Sequence, residues 1–532
     1  MLLGEENKVV FNYKGILSWV LDNIVTIIFV LFVLFGFMIS KDIRMNYFLS
    51  ELCDRLFRNS FLVLSLIIPV LAGLGLNFGI VIGAMCGQAA IALARYHGLG
   101  GMSGLLFCFV ISFLLAVLCG YFTGKLYNKT RGQEMIAGLI AGFFANGVYQ
   151  FIFLFMVGVI IKVPATHPLI MPNGIGVRMT VDLVPVENGG LKFALENMYK
   201  IPFVHALLVV ALVALVILFI GYYLNKKRGE GYKNRPVSFG FNVLMCLLIA
   251  SMAVYVMAAA PKLFGVSSNL NAIASNLNKE SDLEAVKSEL RAITSEISAI
   301  AANDDVIAPR LNAAVSDIND MIIPNLTPAK LNAVTSFIYA TASDINTAAI
   351  VSSPNVMVSN FMQVRTVPVA VGLLIIGLCI FTSLIMRTKL GQDFRSVGQS
   401  QHIAEVSGIN VDRTRIIATI ISTVLAGWGQ LIFIQSLGTL STYSAHTQIG
   451  MFSVAALLVG GASTSRASVK NAIFGTILFN AMFIMSPTIG ESLFGAAGLA
   501  EYFRTLMVYG VIGVALGLHV WKANKKNRIV VE

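Results

Sequence analysis

Apolar stretches long enough to cross a bilayer recur along almost the whole chain, parted by short polar loops. A hydrocarbon core about 30 Å thick takes roughly 20 helical residues to cross. Measured against that length, about twelve windows qualify: near 15–40, 59–76, 78–95, 102–125, 133–161, 203–224, 238–260, 366–386, 415–435, 448–464, 469–488 and 502–522. Those at 78–95 and 448–464 are short. Backbone groups in lipid must be satisfied within the chain, so the pattern predicts an all-α polytopic transmembrane helical bundle of about 10 to 12 spans, some short or broken.

Two intervals, 162–202 and 261–365, interrupt the pattern on the same side of the membrane. In the second, Leu283, Val286, Leu290, Ile293, Ile297 and Ile300 follow a helical repeat, as do Leu331, Val334, Ile338, Ala342 and Ile345. Two or more amphipathic helices packed as a hairpin are expected there. Acidic residues such as Glu280, Asp282, Glu284, Asp304, Asp305, Asp317 and Asp320 dominate its polar surface. The chain therefore divides into a first transmembrane half (1–260), an extracytoplasmic α-helical insert (261–365) and a second transmembrane half (366–532). A passive cap and a docking surface for an external partner are both open for the insert.

Composition agrees: 57% of the 532 residues are hydrophobic and 12% charged, far more apolar matter than a soluble core needs. The excess of 38 Lys+Arg over 27 Asp+Glu sits in short loops beside apolar spans, which is the cytoplasmic-side bias. Membrane lipid, not nucleic acid, is the partner this charge implies. Counting twelve spans places four basic loops on one side: Lys125 to Arg131, Lys226 to Arg235, 387–415, and Lys522 to Arg528. Both termini are then cytoplasmic, although the loop expected at 41–58, with Lys41, Arg44, Arg55 and Arg58, runs against the bias. The run from about Gly15 to Ser40 is too long for a signal-peptide core and is read as a retained span. Six cysteines in or beside the spans have no metal-ligand spacing and read as small core residues.

No catalytic set and no metal site emerge. The six histidines are scattered, and none forms the i, i+4 pair that would aim two imidazoles at one ion. Gly120 to Lys125 has one residue too few between its glycines for a phosphate loop, and Leu126 stands where a metal-binding hydroxyl belongs. No cofactor is expected on this chain, and any ATP and Mg would be held by a partner subunit. Asn77, Gln88, Asn146, Gln150 and Asn480 bring neutral amides into the spans, and Ser453 lies in a second glycine-marked segment, Gly450 to Gly461. The run Gly73 to Gln88 predicts an interrupted helix, and paired interruptions point to a midplane translocation path through these six residues. Intramembrane acids are few, with Asp22 and Glu134 near span ends, which argues against ion coupling. Amides beside Phe143, Phe144 and Tyr149 suit a neutral, hydroxyl-rich solute.

The loop 387–415 holds its own short helix: Ser400 is a suitable N-cap and Gly408 a suitable left-handed terminator. Ile403 and Val406, three apart, give that helix one apolar face. From Arg387 the order Gly391, Arg395, Val397, Gly398, Ala404, Gly408, Ile409, then Ala426-Gly427-Trp428-Gly429 and Gly460-Gly461, resembles the permease subunit of ABC importers of the ribose, simple-sugar, nucleoside and branched-chain amino acid type. Arg131-Gly-Gln-Glu134-Met-Ile136 is similar to a motif of its nucleoside and simple-sugar branch. Asn77 stands where ribose-type members commonly carry an acid, and Arg466-Ala467 where glycines are usual. The resemblance implies transport driven by ATP hydrolysis on a separate subunit, in the bacterial cytoplasmic (inner) membrane. Gly391, Arg395, Val397, Gly398, Ala404, Gly408 and Ile409 would form the coupling element. Its implied partners are cytoplasmic ATP-binding subunits, a second permease copy or homologue, and an extracytoplasmic substrate-binding protein. An ion-coupled secondary transporter, and a membrane scaffold or sensor using the insert as a binding domain, remain alternatives.

Overall fold

The computed structural model describes residues 24–39, 45–164, 166–184, 190–227, 236–259, 262–276, 283–302, 308–322, 331–352, 364 and 366–495, with parts of 499–517. The chain forms two compact units, one of Met1–Arg44, Glu51–Tyr199 and Pro368–Glu532, the other of Met45–Ser50 and Lys200–Val367. Five described helices are long and apolar enough to cross a membrane, or six if the bent pair Val369–Ile385 and Lys389–Gln399 counts as one span. Shorter apolar helices cover Ile24–Ile39, Ile80–Tyr96, Asn242–Met257 and Ala445–Val459. The expected span at 502–522 lies partly outside the described residues.

The first unit opens with α1 (Ile24–Ile39), α2 (Met45–Ser65, of which it holds the part from Glu51 onward), α3 (Ile67–Leu71), α4 (Ile80–Tyr96), α5 (Gly101–Lys129) and α6 (Glu134–Phe151). Here the structure corrects the sequence reading: 45–58 is no loop, because α2 begins at Met45 and carries Arg55 and Arg58, while Lys41 and Arg44 lie outside the described residues. Those charges find partners along the helix and across it. Arg55 pairs with Glu51 at 3.1 Å, the Arg55 guanidinium lies 4.7 Å from the Phe483 ring centre, and that of Arg58 lies 5.4 Å from Phe433.

The window 59–76 is likewise not one helix. Pro69 has no N–H to give the Ser65 carbonyl, and the chain breaks into α3 and then the loop 72–79. The freed Ser65 carbonyl accepts instead from the Ser422 hydroxyl at 3.0 Å.

Ser422 lies on α16 (Val411–Leu437), the helix at the centre of this unit. Seventeen of its residues are buried, against α4, α5 and the α2–α3 region. Lipid gives helices no hydrophobic reason to associate, so close backbone approach must do that work. A Cβ on Gly87 would sit 2.6 Å from the Gly427 carbonyl oxygen, and one on Gly429 2.7 Å from Leu62. Between them Trp428 donates to the Phe109 carbonyl at 3.2 Å. The Ala-Gly-Trp-Gly run thus faces three neighbours with three consecutive residues.

The remaining helices of this unit are α13 (Val369–Ile385), α14 (Lys389–Gln399), α15 (Gln401–Val406), α17 (Ala445–Val459) and α18 (Val469–Phe494). Within the interval 162–202, β1 (Thr180–Asp182) pairs antiparallel with β2 (Thr439–Ser441), Val181 opposite Leu440.

The second unit contains α7 (Phe203–Lys227), α8 (Pro236–Ala259), α9 (Lys262–Asn276), α10 (Leu283–Ala301), α11 (Ala308–Ser316) and α12 (Leu331–Ser352). Val204, Ala253 and Val256 form the seam of α7 and α8. The helices from α9 onward share a separate core of Leu270, Leu290, Ile297, Leu311, Ile318, Ile338 and Ile345. The amphipathic repeats of the insert therefore close on one another. The side chains of Leu283, Val286, Leu331 and Val334, and residues Glu280, Asp282, Asp304 and Asp305, lie outside the described residues.

Candidate coupling surface and polar cluster

Three caps divide the polar loop into rigid pieces. The Thr388 hydroxyl accepts from the Gly391 N–H, that of Ser400 from Ile403 N–H at 3.3 Å, and Asn410 Oδ1 from Arg413 N–H at 2.9 Å. They start α14, α15 and α16 in turn, and α14 is bent 74° from α13. Gly408 has φ +81°, so α15 ends in the left-handed residue expected of it.

The inner faces of these pieces are fixed by burial. Phe394 is fully buried, and Val397, Ala404 and Val411 form a small cluster with half-buried Ile409 against it. Gly391 is buried where α14 turns back on the end of α13. Gly398 packs backbone to backbone on the turn after α3: a Cβ on Gly73 would lie 2.8 Å from the Gly398 Cα. The outer face carries Arg395 and Gly408, with Ile403 at 66% and Val406 at 77% exposure. Two apolar side chains on a short polar helix are thus held out on a braced platform. Phe394 went unnoticed in the sequence, though Leu390, Phe394 and Val397 stand at helical spacing.

Beneath the platform lies a buried arginine that sequence reading passed over. Arg415 has no exposed surface. Its guanidinium pairs with Glu134 and donates to Gln401 Oε1 at 3.2 Å and to the Tyr127 carbonyl at 3.2 Å. At the rim, Arg131 pairs with Asp412 at 2.5 Å, and Asn128 donates to the Asp412 carbonyl at 2.9 Å. Arg131 and Glu134, the charges of the 131–136 motif, are therefore the two that grip the base of α16.

Three of the six amide and hydroxyl residues of the expected path come together, and the other three have separate partners. Gln88, Asn146 and Gln150 come together around His446, whose Nδ1 lies 2.7 Å from Gln88 Oε1 and whose Nε2 lies 2.7 Å from Asn146 Oδ1. Gln150 donates to the same Asn146 oxygen at 3.4 Å. A neutral imidazole donates through one nitrogen and accepts through the other, so one of the two amides turns its NH2 to the ring. Tyr149 stacks on Phe153 with ring centres 4.4 Å apart, and 5.1 Å separates it from His446. Its hydroxyl is buried without a hydrogen-bond partner among the described residues.

Asn77 lies elsewhere, accepting from the Tyr127 hydroxyl at 2.7 Å and donating to Ser422 at 3.3 Å. Asn480 donates to the Thr476 carbonyl and accepts from Asn59, and Ser453 bonds back to the Ile449 carbonyl. Phe143 and Phe144 are exposed, so of the aromatics expected beside the amides Tyr149 alone joins them. His446 has no partner at local spacing in the sequence; its partners stand 358 and 300 residues away along the chain.

Crossing helices, glycine seams and a braced loop helix define a polytopic α-helical membrane protein. Residues 322–516 match the family model described as branched-chain amino acid transport system / permease component, a match that includes the whole platform. The chain is similar to the nucleoside ABC transporter permease protein NupC of Lactococcus lactis subsp. cremoris, 28% identical over 140 residues, 26% of this chain and 42% of the relative. The xylose transport system permease protein XylH of Haemophilus influenzae is 30% identical over 164 residues, 30% of this chain and 41% of the relative. The chain thus spans less than half the length of these relatives. No solved structure matches it.

Proposed function

We propose that this chain is the permease subunit of a binding-protein-dependent ABC importer in the bacterial cytoplasmic membrane, with both termini cytoplasmic. It moves a small polar solute, a simple sugar or a nucleoside, while ATP is hydrolysed on a separate subunit. The observation that carries this reading is the braced platform: a helix too short to be stable alone is capped, buried on one side and left apolar on the other. Such a surface suits a groove in a cytoplasmic ATP-binding subunit. Similarity to nucleoside and xylose permeases supports the solute class. The cluster of Gln88, His446, Asn146 and Gln150 supports a neutral cargo, since its groups offer hydrogen bonds without a carboxylate.

In this mechanism the chain makes and breaks no covalent bond. ATP binding closes the partner subunits, displaces α15 and shifts the balance between outward and inward access, a two-state change. A second permease copy or homologue completes the pore, and an external binding protein delivers the solute. A photocrosslinker at Ile403 in intact cells is expected to capture a nucleotide-hydrolysing subunit. Capture of no such subunit, together with uptake by proteoliposomes on an ion gradient alone, replaces this reading with a secondary carrier.

A further inference from the structure

We propose that Arg415 and Glu134 form the positioning joint through which movement of α15 reaches the polar cluster; this rests on the permease reading above. The guanidinium sits on the second turn of α16 and binds three separate elements at once: Gln401 at the start of α15, the Tyr127 carbonyl near the end of α5, and Glu134 at the first residue of α6. Replacing a buried ion pair by well-packed apolar residues is often neutral or stabilising, so stability alone does not account for a charge at this place. What the pair supplies is a fixed spacing between three helix ends. The exposed Arg131 and Asp412 pair contributes little by comparison.

The far end of the same lever is the polar cluster. Helix α6 starts at Glu134 and runs unbroken through Asn146, which contacts His446 at 2.7 Å. Twelve residues of helix span about 18 Å and transmit displacement along their axis with little loss. When α15 is drawn toward a closing ATPase, Gln401 moves with it, Arg415 is pulled or released, and α6 shifts beneath Asn146. The bond between Asn146 and His446 then opens or closes in step with the nucleotide cycle.

The test uses the full transporter, with its ATP-binding subunits, in proteoliposomes, and reads solute moved per ATP hydrolysed. Glu134→Gln and Arg415→Lys are expected to assemble and to keep basal hydrolysis, while solute moved per ATP falls by about fivefold or more. Glu134→Asp, which keeps the charge, is expected to recover most of the loss. A wild-type ratio in both variants overturns the proposal, as does a parallel fall of uptake and hydrolysis, which marks a merely structural role. If neither variant assembles, Gln401→Ala leaves the ion pair intact and decides: a ratio lowered about twofold supports the joint, and an unchanged ratio overturns it. Absence of ATP-dependent uptake in the wild-type complex is a different result, and overturns the permease reading itself.

Discussion

Gly408 shows how much can hang on one φ angle. Its φ of +81° is one that a β-branched residue adopts only with strain, and among the described residues none beyond its chain neighbours comes within 4 Å of where its Cβ would be. Gly408→Val therefore acts through the backbone alone, at roughly 1–2 kcal/mol. That cost falls on the end of α15 and leaves the transmembrane core alone. The expected outcome is a subunit that inserts and assembles but uncouples hydrolysis from uptake, measured as ATPase activity that solute no longer stimulates. Normal coupled transport by this variant removes the coupling role from the 400–408 stretch. Ser400 and Gly408 could be recognised in the sequence because capping is local chemistry, settled within a few residues. His446 and Arg415 could not, because what makes them polar hubs is supplied by helices far along the chain.

At the level of elements, the crossing of α4 on α16 leaves no room for added atoms. A side chain on Gly83 would run into the Thr423 carbonyl oxygen and the Ala426 methyl, and backbone cannot rotate out of the way as a side chain can. Gly83→Val is expected to part the two helices at a cost of about 1–3 kcal/mol or more, read as a lower melting temperature and reduced membrane abundance. A wild-type melting curve would mean that the seam is not the close contact described. Hydropathy located most of these helices, since long apolar runs in lipid have few alternatives. It misplaced α2 and α3 for a specific reason. A window average scores Glu51, Asp54, Arg55 and Arg58 as loop, whereas the rings of Phe483 and Phe433 receive two of those charges from distant helices. The break after Ser65 is likewise readable at Pro69 only once the window is abandoned for the single missing N–H.

For the molecule as a whole, the two units keep separate cores: the side chains around Leu290 and Ile345 do not belong to the cluster that surrounds α16. Excising 262–352 and joining the ends with a short flexible linker is expected to leave membrane insertion and ATPase assembly intact, measured by co-purification of the complex. Loss of assembly would show that the insert serves the transmembrane fold itself. The sequence separated this insert by composition, yet contact places α7 and α8 in its unit, because hydropathy reports which solvent a helix prefers and not which neighbour it chooses. The meeting of Gly73 and Gly398 has a consequence at this scale. Main chain rests on main chain there, with no rotamer between the two surfaces to flex or reorient. A push arriving at the platform therefore meets a joint without play, and even a displacement of a few tenths of an ångström is delivered to the broken helix rather than dissipated on the way.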